Sequence, residues 1–404
     1  MYKFKSTLFS LFLSVTSACY AGPWLMAGNL GEKSDIDLLA DYGLIKAPVM
    51  SWPIAWQNIE PSLTSPNSQA LLKTAPASVK QAYQDIQALY KTQAKLDTVN
   101  TSITADGGSN INPFPTFANR PRSNFGAGIA TGYQTTHFAG NLALSYGRYN
   151  DLNRYVHLDG SYLDYFFGNW SIGFDKINRW WGPGYSDSMI LSENAVPRPA
   201  LTLQRMRAYP FETKWLSWLG PWSLTTSLSK LNPDRAIPSP FDWFTNLSFR
   251  PVNSLQVSFS RDVMFSGDGR PLNWTMMKNV ILGGHTCGAP DHTEEYCTYN
   301  FALKQHYDLS LKWSLYQGWK IPLALYLDTS FNDKTPRGHQ IKPLTDPIPA
   351  KTAFLFGANT WTETNAGFLR IYTEYEYNIQ NIWYFWGGHG GDNIYGAGGY
   401  PYTY

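Results

Sequence analysis

The sequence carries little charge and no long apolar run. Only 15% of its 404 residues are Asp, Glu, Lys or Arg, against roughly 25% in an average soluble chain. After the N-terminus no stretch is a continuous apolar 20-mer, the length a membrane helix needs. A helical membrane protein is thereby excluded. A basic excess is lacking too: the formal net charge is +2, and Lys3 and Lys5 alone account for it. Nothing here builds an electrostatic footprint for nucleic acid, so no such partner is expected. Cysteine is scarce, with three residues, at positions 19, 287 and 297.

The N-terminus reads as a signal peptide over 1–21. Lys3 and Lys5 precede the apolar run Leu8–Val15, which is too short to span a bilayer, and small residues lead to Ala21 with cleavage expected before Gly22. Ser17-Ala18-Cys19 offers a lipoprotein site as the alternative, with Thr16 standing where such sites usually carry Leu. Export places Cys287 and Cys297 in an oxidising compartment, where a disulfide between them is the default. His285 and His292 lie in the same loop, but the spacing of the four matches no common zinc finger. No metal or other cofactor is expected.

What is abundant is aromatic: 26 Tyr, 22 Phe and 16 Trp, beside 33 Gly. Two regions use them differently. Residues 22–122 read as a helical and loop-rich region. Ser34-Asp35-Ile36-Asp37 can cap a helix carrying Ile36, Leu38, Leu39 and Tyr42. A second helix is expected to open at Ser78, with Gln81 completing a capping box, and to run through Tyr83, Ile86 and Tyr90. Pro48, Pro53, Pro61, Pro66 and Pro76 divide the region into short pieces.

Over residues 123–404 the period changes from 3.6 to 2. From Tyr299 to Leu315 one face reads Tyr299, Phe301, Leu303, Gln305, Tyr307, Leu309, Leu311, Trp313 and Leu315. The other carries Lys304, His306, Asp308, Ser310, Lys312 and Ser314, and only Gln305 breaks the apolar side. Similar alternation recurs from Trp319 and from Leu369 to Ile379. Strands of a soluble sandwich run about five to six residues. At ~3.3 Å per residue and ~40° tilt the Tyr299–Leu315 stretch would rise ~40 Å, enough to cross a bilayer. Backbone groups in lipid must all be paired, so such strands close on themselves. The fold class expected is mainly β, a transmembrane antiparallel β-barrel in outer-membrane lipid, preceded by a small N-terminal helical domain. Tyr299, Trp313, Trp319, Trp383 and Trp386 suit the interfacial girdles.

The most distinctive block is Arg179-Trp180-Trp181-Gly182-Pro183-Gly184-Tyr185, followed by Ile190–Leu201 and then Gln204-Arg205. Here, and at Asp37-Leu38-Leu39-Ala40-Asp41, Gly43, Pro48 and Ser51-Trp52-Pro53, the chain resembles the capsule assembly Wzi family. Those are lectin-like outer-membrane barrels of Gram-negative cells that attach capsular polysaccharide to the surface. The resemblance implies non-catalytic binding of capsular or another acidic surface polysaccharide. Two departures stand out. Glu193 occupies a position where Asn is expected, and about 280 residues hold perhaps 14 strands rather than the roughly 18 that the family implies. The barrel is either smaller or lacks C-terminal strands. Tyr400, Tyr402 and Tyr404 share one face of a final strand-like run, which fits both.

Indole faces stack on sugar rings and Arg can grip a carboxylate with two hydrogen bonds. Arg179, Trp180, Trp181, Arg198 and Arg205 are therefore the glycan-binding candidates. Read locally, a simpler account has Gly182-Pro183-Gly184 as a tight turn, with the Trp pair packing the girdle or the barrel interior. Both accounts stay open. Catalysis has weaker footing. Glu374 and Glu376 share a strand face toward the interior, but polar residues there commonly just face water. Gly387–Asp392 lacks the Lys-Ser/Thr of a phosphate loop, and no Gly-x-Ser-x-Gly or His-Glu-x-x-His occurs. No catalytic residues are assigned and no enzyme is expected. A diffusion pore is the alternative function and an outer-membrane hydrolase the third. A sealed interior would separate anchor from pore, and the helical segment before the first strand favours the anchor.

Overall fold

The structure is a computed structural model describing residues 15–16, 22–107, 116–118, 125–147, 155–194, 196–233, 237–270, 272–283, 304–332, 352–365 and 367–377. Among the described residues thirteen long strands form one antiparallel meander, each paired with the next in sequence. They are β1 (Asn100–Gly107), β2 (Phe125–Gln134), β3 (Phe138–Gly147), β4 (Ser161–Phe167), β5 (Trp170–Lys176), β6 (Ala200–Arg205) and β7 (Trp222–Lys230). Then follow β8 (Phe241–Val252), β9 (Leu255–Phe265), β10 (Lys304–Ser314), β11 (Leu323–Asn332), β12 (Thr352–Thr364) and β13 (Gly367–Tyr377). Val15–Thr16 adds a two-residue strand beside β1, and Val156–His157 another beside β3. Among the described residues the two outer edges of the sheet are not joined to one another.

The barrel has two unlike ends. At one end short turns join the strands, such as 135–137 and 168–169; at the other the strands are separated by longer stretches of chain, such as those that follow β5 and β9. The period-2 pattern sets the faces. On β10 Asp308, Ser310, Lys312 and Ser314 point inward, while Leu309, Leu311 and Trp313 point outward. Leu142, Leu163, Phe174 and Tyr375 continue the apolar outer face and are well exposed. No helix among the described residues is long and apolar enough to cross a membrane.

Many inward polar residues do not face water. Ser260, Asp308, Ser310 and Asp328 are fully buried, because the N-terminal helical region and the 177–199 segment enter the barrel and cover them. That region comprises α1 (Leu30–Tyr42), α2 (Trp56–Thr64), α3 (Pro66–Lys73) and α4 (Ala77–Gln93) around a shared core of Ile36, Leu39, Ile45, Ile59, Val79 and Ile86. The helices exist where the periodicity predicts them, but their starts differ. Asn29, not Ser34, caps α1, its side chain accepting from the Gly31 and Glu32 amides. Leu30-Gly31-Glu32-Lys33 extend the helix ahead of Ser34, and Asn is as good a cap as Ser. The capping box at Ser78 does not form: Pro76 precedes α4, and the Ser78 amide donates to Glu363 Oε1 of β12 at 2.9 Å. A barrel carboxylate thus satisfies the helix's unpaired amide, where negative charge also suits the helix dipole.

The C-terminal end of α1 docks by the same logic in reverse. Its last carbonyls need donors, and the barrel wall supplies them. Arg250 donates to the Ala40 and Ile45 carbonyls at 2.7 and 2.5 Å. Ser314 Oγ and Gln317 Nε2 donate to Asp41 O at 3.0 and 2.9 Å. Beyond α1, the Val49 amide donates to Gln256 Oε1 at 2.9 Å, and Ser51 Oγ bonds Asn246 and Ser248.

Candidate functional site

The Arg179 block leaves β5, turns into the barrel and returns to β6. Its residues separate into three environments. Arg179 is buried, with Nη2 donating to Asp175 Oδ1 and Oδ2 at 2.9 and 2.7 Å and to Thr202 Oγ1 at 2.9 Å. Arg198 pairs with Asp242 and lies 3.7 Å from Asp262. Both guanidinium groups sit over the Phe244 ring, at 5.3 and 4.6 Å from its centroid. Trp181 packs on the same ring from the side, 5.8 Å away. Arg179, Trp181 and Arg198 therefore meet around Phe244. The space that Arg179, Arg198 and Phe244 leave, bordered also by Asn178 and Ser192, is about 30 Å³, room for a water rather than a sugar ring.

Trp180 goes elsewhere. Trp180–Trp181 pairs with Ser51–Trp52 as a two-stranded ladder, which carries the Trp180 ring into the helical core, edge-on to Phe117 at 5.3 Å. Its Nε1 donates to the Gly184 carbonyl at 3.1 Å. Gly182 and Gly184 are set by close approach. A Cβ on Gly182 would stand 2.5 Å from Asp328 Oδ2, and one on Gly184 2.2 Å from the Asp187 carbonyl. Pro183 between them is buried. Arg205 lies at the short-turn end of β6, its guanidinium 3.8 Å from the Trp222 ring centroid with Nη1 donating to the Trp222 carbonyl at 2.5 Å.

Glu374 is an acceptor rather than half of a solvated pair. It receives the Tyr185 amide at 2.7 Å, the Ser186 amide and hydroxyl, and the Tyr326 hydroxyl at 2.6 Å. Glu376 raises the neighbouring Asp187 carboxyl, which burial, the larger cause, has already pushed up; it reaches about 8. Cys287 and Cys297, with His285 and His292, lie outside the described residues, as do Cys19, the Gly387–Asp392 run, Tyr299, Trp383, Trp386 and the terminal tyrosines. Among the described residues no three His, Cys, Asp or Glu side chains converge in metal-binding geometry.

A buried charge network joins the two inserted segments to the wall, and the sequence reading missed it. Lys312 Nζ lies 2.9 Å from Asp37 Oδ1 and 3.2 Å from Asp41 Oδ2. Lys33 Nζ is 3.4 Å from Asp37 Oδ2, which also accepts from the Tyr185 hydroxyl at 2.7 Å. The Lys33 ammonium further sits over the Tyr185 and Phe117 rings. Burial lowers Lys33 and raises Asp41. Burial also pushes Asp37 up, but Lys312 and Lys33 overcome it and hold its carboxyl below the ordinary range. One signal was available: Lys33, Asp37 and Asp41 are spaced i, i+4, i+8, a charged stripe along a helix whose neighbours are apolar. Its partner lies some 270 residues away.

A family model described as capsule assembly protein Wzi matches residues 104–397. A Klebsiella pneumoniae protein, an uncharacterized 55.8 kDa protein in the cps region, is 25% identical over 279 residues, covering 69% of this chain and 54% of its own length. The chain thus spans about half the length of that curated relative. Among solved structures, Escherichia coli Wzi aligns with a TM-score of 0.65 and 21% identity, over 87% of this chain and 71% of that one. That protein is described as an outer-membrane protein involved in group 1 capsule assembly and as a carbohydrate-binding β-barrel. At such identity the likeness is one of fold.

Proposed function

This chain belongs to the capsule assembly protein Wzi family, and from that premise we propose that it holds capsular or another acidic polysaccharide at the cell surface by binding, without chemistry on the glycan. The setting proposed is the outer membrane, with the short-turn end toward the periplasm and the long connections outside, the usual polarity of such barrels. The observation that carries the reading is the occupied interior. Side chains that would line a diffusion path, such as Ser260, Asp308 and Lys312, are buried under α1 and the 177–199 segment. That arrangement supports an anchor over a porin. Glu374, saturated as an acceptor, supports binding over hydrolysis.

For the Arg179 block the geometry supports a building role. Arg179, Trp180, Trp181, Arg198 and Arg205 are each engaged by the protein itself; the first four hold the inward-folded segment in place, and Arg205 ties β6 to β7 at Trp222. Arg179→Ala then lowers the yield of folded barrel while leaving glycan binding per folded molecule unchanged. The functional test is to delete the gene in a capsulated host and follow polymer in cells and medium. An anchor predicts that polymer is still made but shed, with cell-bound glycan restored by the intact gene. Loss of synthesis, or an unchanged distribution, would overturn anchoring. Stable single-channel conductance in planar bilayers would put the pore first.

A further inference from the structure

A helix lies on the outside of the barrel. α5 (Trp274–Leu282) is capped by Asn273, whose side chain accepts the Met276 amide at 2.8 Å, and ends at Gly283, φ +74°. Met276 and Val280 are fully buried against Val263 and Phe265 of β9, with Phe241 and Trp243 of β8 packed alongside. These wall positions alternate with inward-facing Asp242, Phe244 and Asp262, so α5 covers the outer face. It sits at the end of β9 from which a long connection departs.

The wall beneath it explains the one polar break in the β10 pattern. Arg261 of β9 faces outward, with Nη2 donating to Gln305 Oε1 at 2.5 Å and Nη1 to the Ile281 carbonyl at 3.4 Å. Tyr307 also donates to Gln305 Oε1, at 2.9 Å. A cation and an amide on an apolar outer wall are costly unless covered. The C-terminal turn of α5 covers them and offers a carbonyl where the helix dipole favours positive charge.

The side of α5 turned away from the barrel is apolar as well. Trp274 is 79% and Leu282 72% exposed, with Ile281 and Leu272 beside them and Lys278 on the same surface. A helix apolar toward both the wall and the outside, with Trp at one end and a Lys, has the composition of an interfacial helix. We propose that α5 lies in the outer leaflet along the barrel, with Trp274, Ile281 and Leu282 among lipid acyl chains and Lys278 toward the head groups. The occupant follows from continuity: the surface adjoining α5 is the exposed apolar wall, with Phe259 on the same strand. The inference rests on the outer-membrane reading.

The test places the photoreactive residue p-benzoylphenylalanine at position 274, 282, 259 or 256 of the full chain. Each variant is irradiated in native outer membranes, with heat-modifiability reporting that it has folded. Lipid adducts detected by mass spectrometry are expected at 274 and 282 at a yield like that of 259, with none at the inward position 256. Adducts at 259 but not at 274 or 282 would overturn the proposal. So would a product of twice the chain mass, which assigns the face to a second copy, or a cross-link to another protein. Absence of lipid at 259 as well removes the membrane premise, and the proposal falls with it.

Discussion

Replacing Lys312 by methionine tests whether the buried charge network holds α1 in the barrel. The Lys312 ammonium lies 2.9 Å from Asp37 and 3.2 Å from Asp41, and all three side chains are almost free of solvent contact. Its removal leaves two buried carboxylates. Asp37 retains Lys33 at 3.4 Å and the Tyr185 hydroxyl. Asp41 fares worse, since Arg250 is turned toward the carbonyls of Ala40 and Ile45. Breaking a buried pair by deleting one partner costs ~3–5 kcal/mol. With Lys33 still present the lower figure applies, ~3 kcal/mol, which is on the order of a 10²-fold shift in the equilibrium that opens α1. Native-state hydrogen exchange, read on a peptide spanning Leu30–Tyr42, should show that acceleration while strands β8 to β11 keep their protection. Adding Asp41→Asn to Lys312→Met should recover part of the loss, because one uncompensated charge disappears. Unchanged protection in α1, or an equal loss in every strand, would refute the reasoning.

Three further outcomes are expected. Leu309→Arg puts a cation on the outward face of β10 and should cost ~2–4 kcal/mol at a membrane midplane, seen as lost heat-modifiability on gels, whereas Lys312→Met should leave barrel assembly intact. Asp187, whose carboxyl is raised from 3.8 to about 8 by burial and by Glu376, favours the folded position of the 177–199 segment when protonated. That contribution is complete below the ordinary carboxylate range and is lost as pH rises to about 8, so limited proteolysis of the segment should quicken between about pH 4 and 8 and level off above, and Asp187→Asn should flatten the response. Cys287 and Cys297 are proposed to be disulfide-bonded, closing a loop of about ten residues for up to ~3 kcal/mol; mass spectrometry of the unreduced protein should find the linked peptide, and free thiols would refute it.

The strands were legible because a two-residue period needs only neighbours. Leu309, Leu311 and Trp313 declare one face of β10 and Asp308, Ser310 and Lys312 the other, and the structure keeps both. What the pattern could not say is that the polar face is dry, since that depends on a helix from residues 30–42 lying against it. Helix starts failed for a related reason. Ser78 looks like a cap, yet the group that meets its amide is Glu363, which no local window contains. The Gln305 anomaly was visible in sequence, but its explanation needs Arg261 from the adjoining strand and the carbonyl of Ile281. The Arg179 block announced itself by composition, and its division among three environments follows from tertiary pairing with Ser51–Trp52, Phe244 and Trp222.

The inward turn of the 177–199 segment has a mechanical consequence. Under the anchoring proposed above, a polymer held outside the cell would tug along the barrel axis, and the segment would meet that tug as a hook rather than a flap. Tension entering it is divided among several strands at once: to β8 through Arg198 and Asp242, to β11 through the Met189 amide and Asp328, to β13 through Tyr185, Ser186 and Glu374. A fourth branch runs from the Tyr185 hydroxyl through Asp37 to Lys312 on β10. Bonds loaded side by side must fail together, whereas those of a lone hairpin peel one after another, so the load spreads through the wall instead of unravelling the loop.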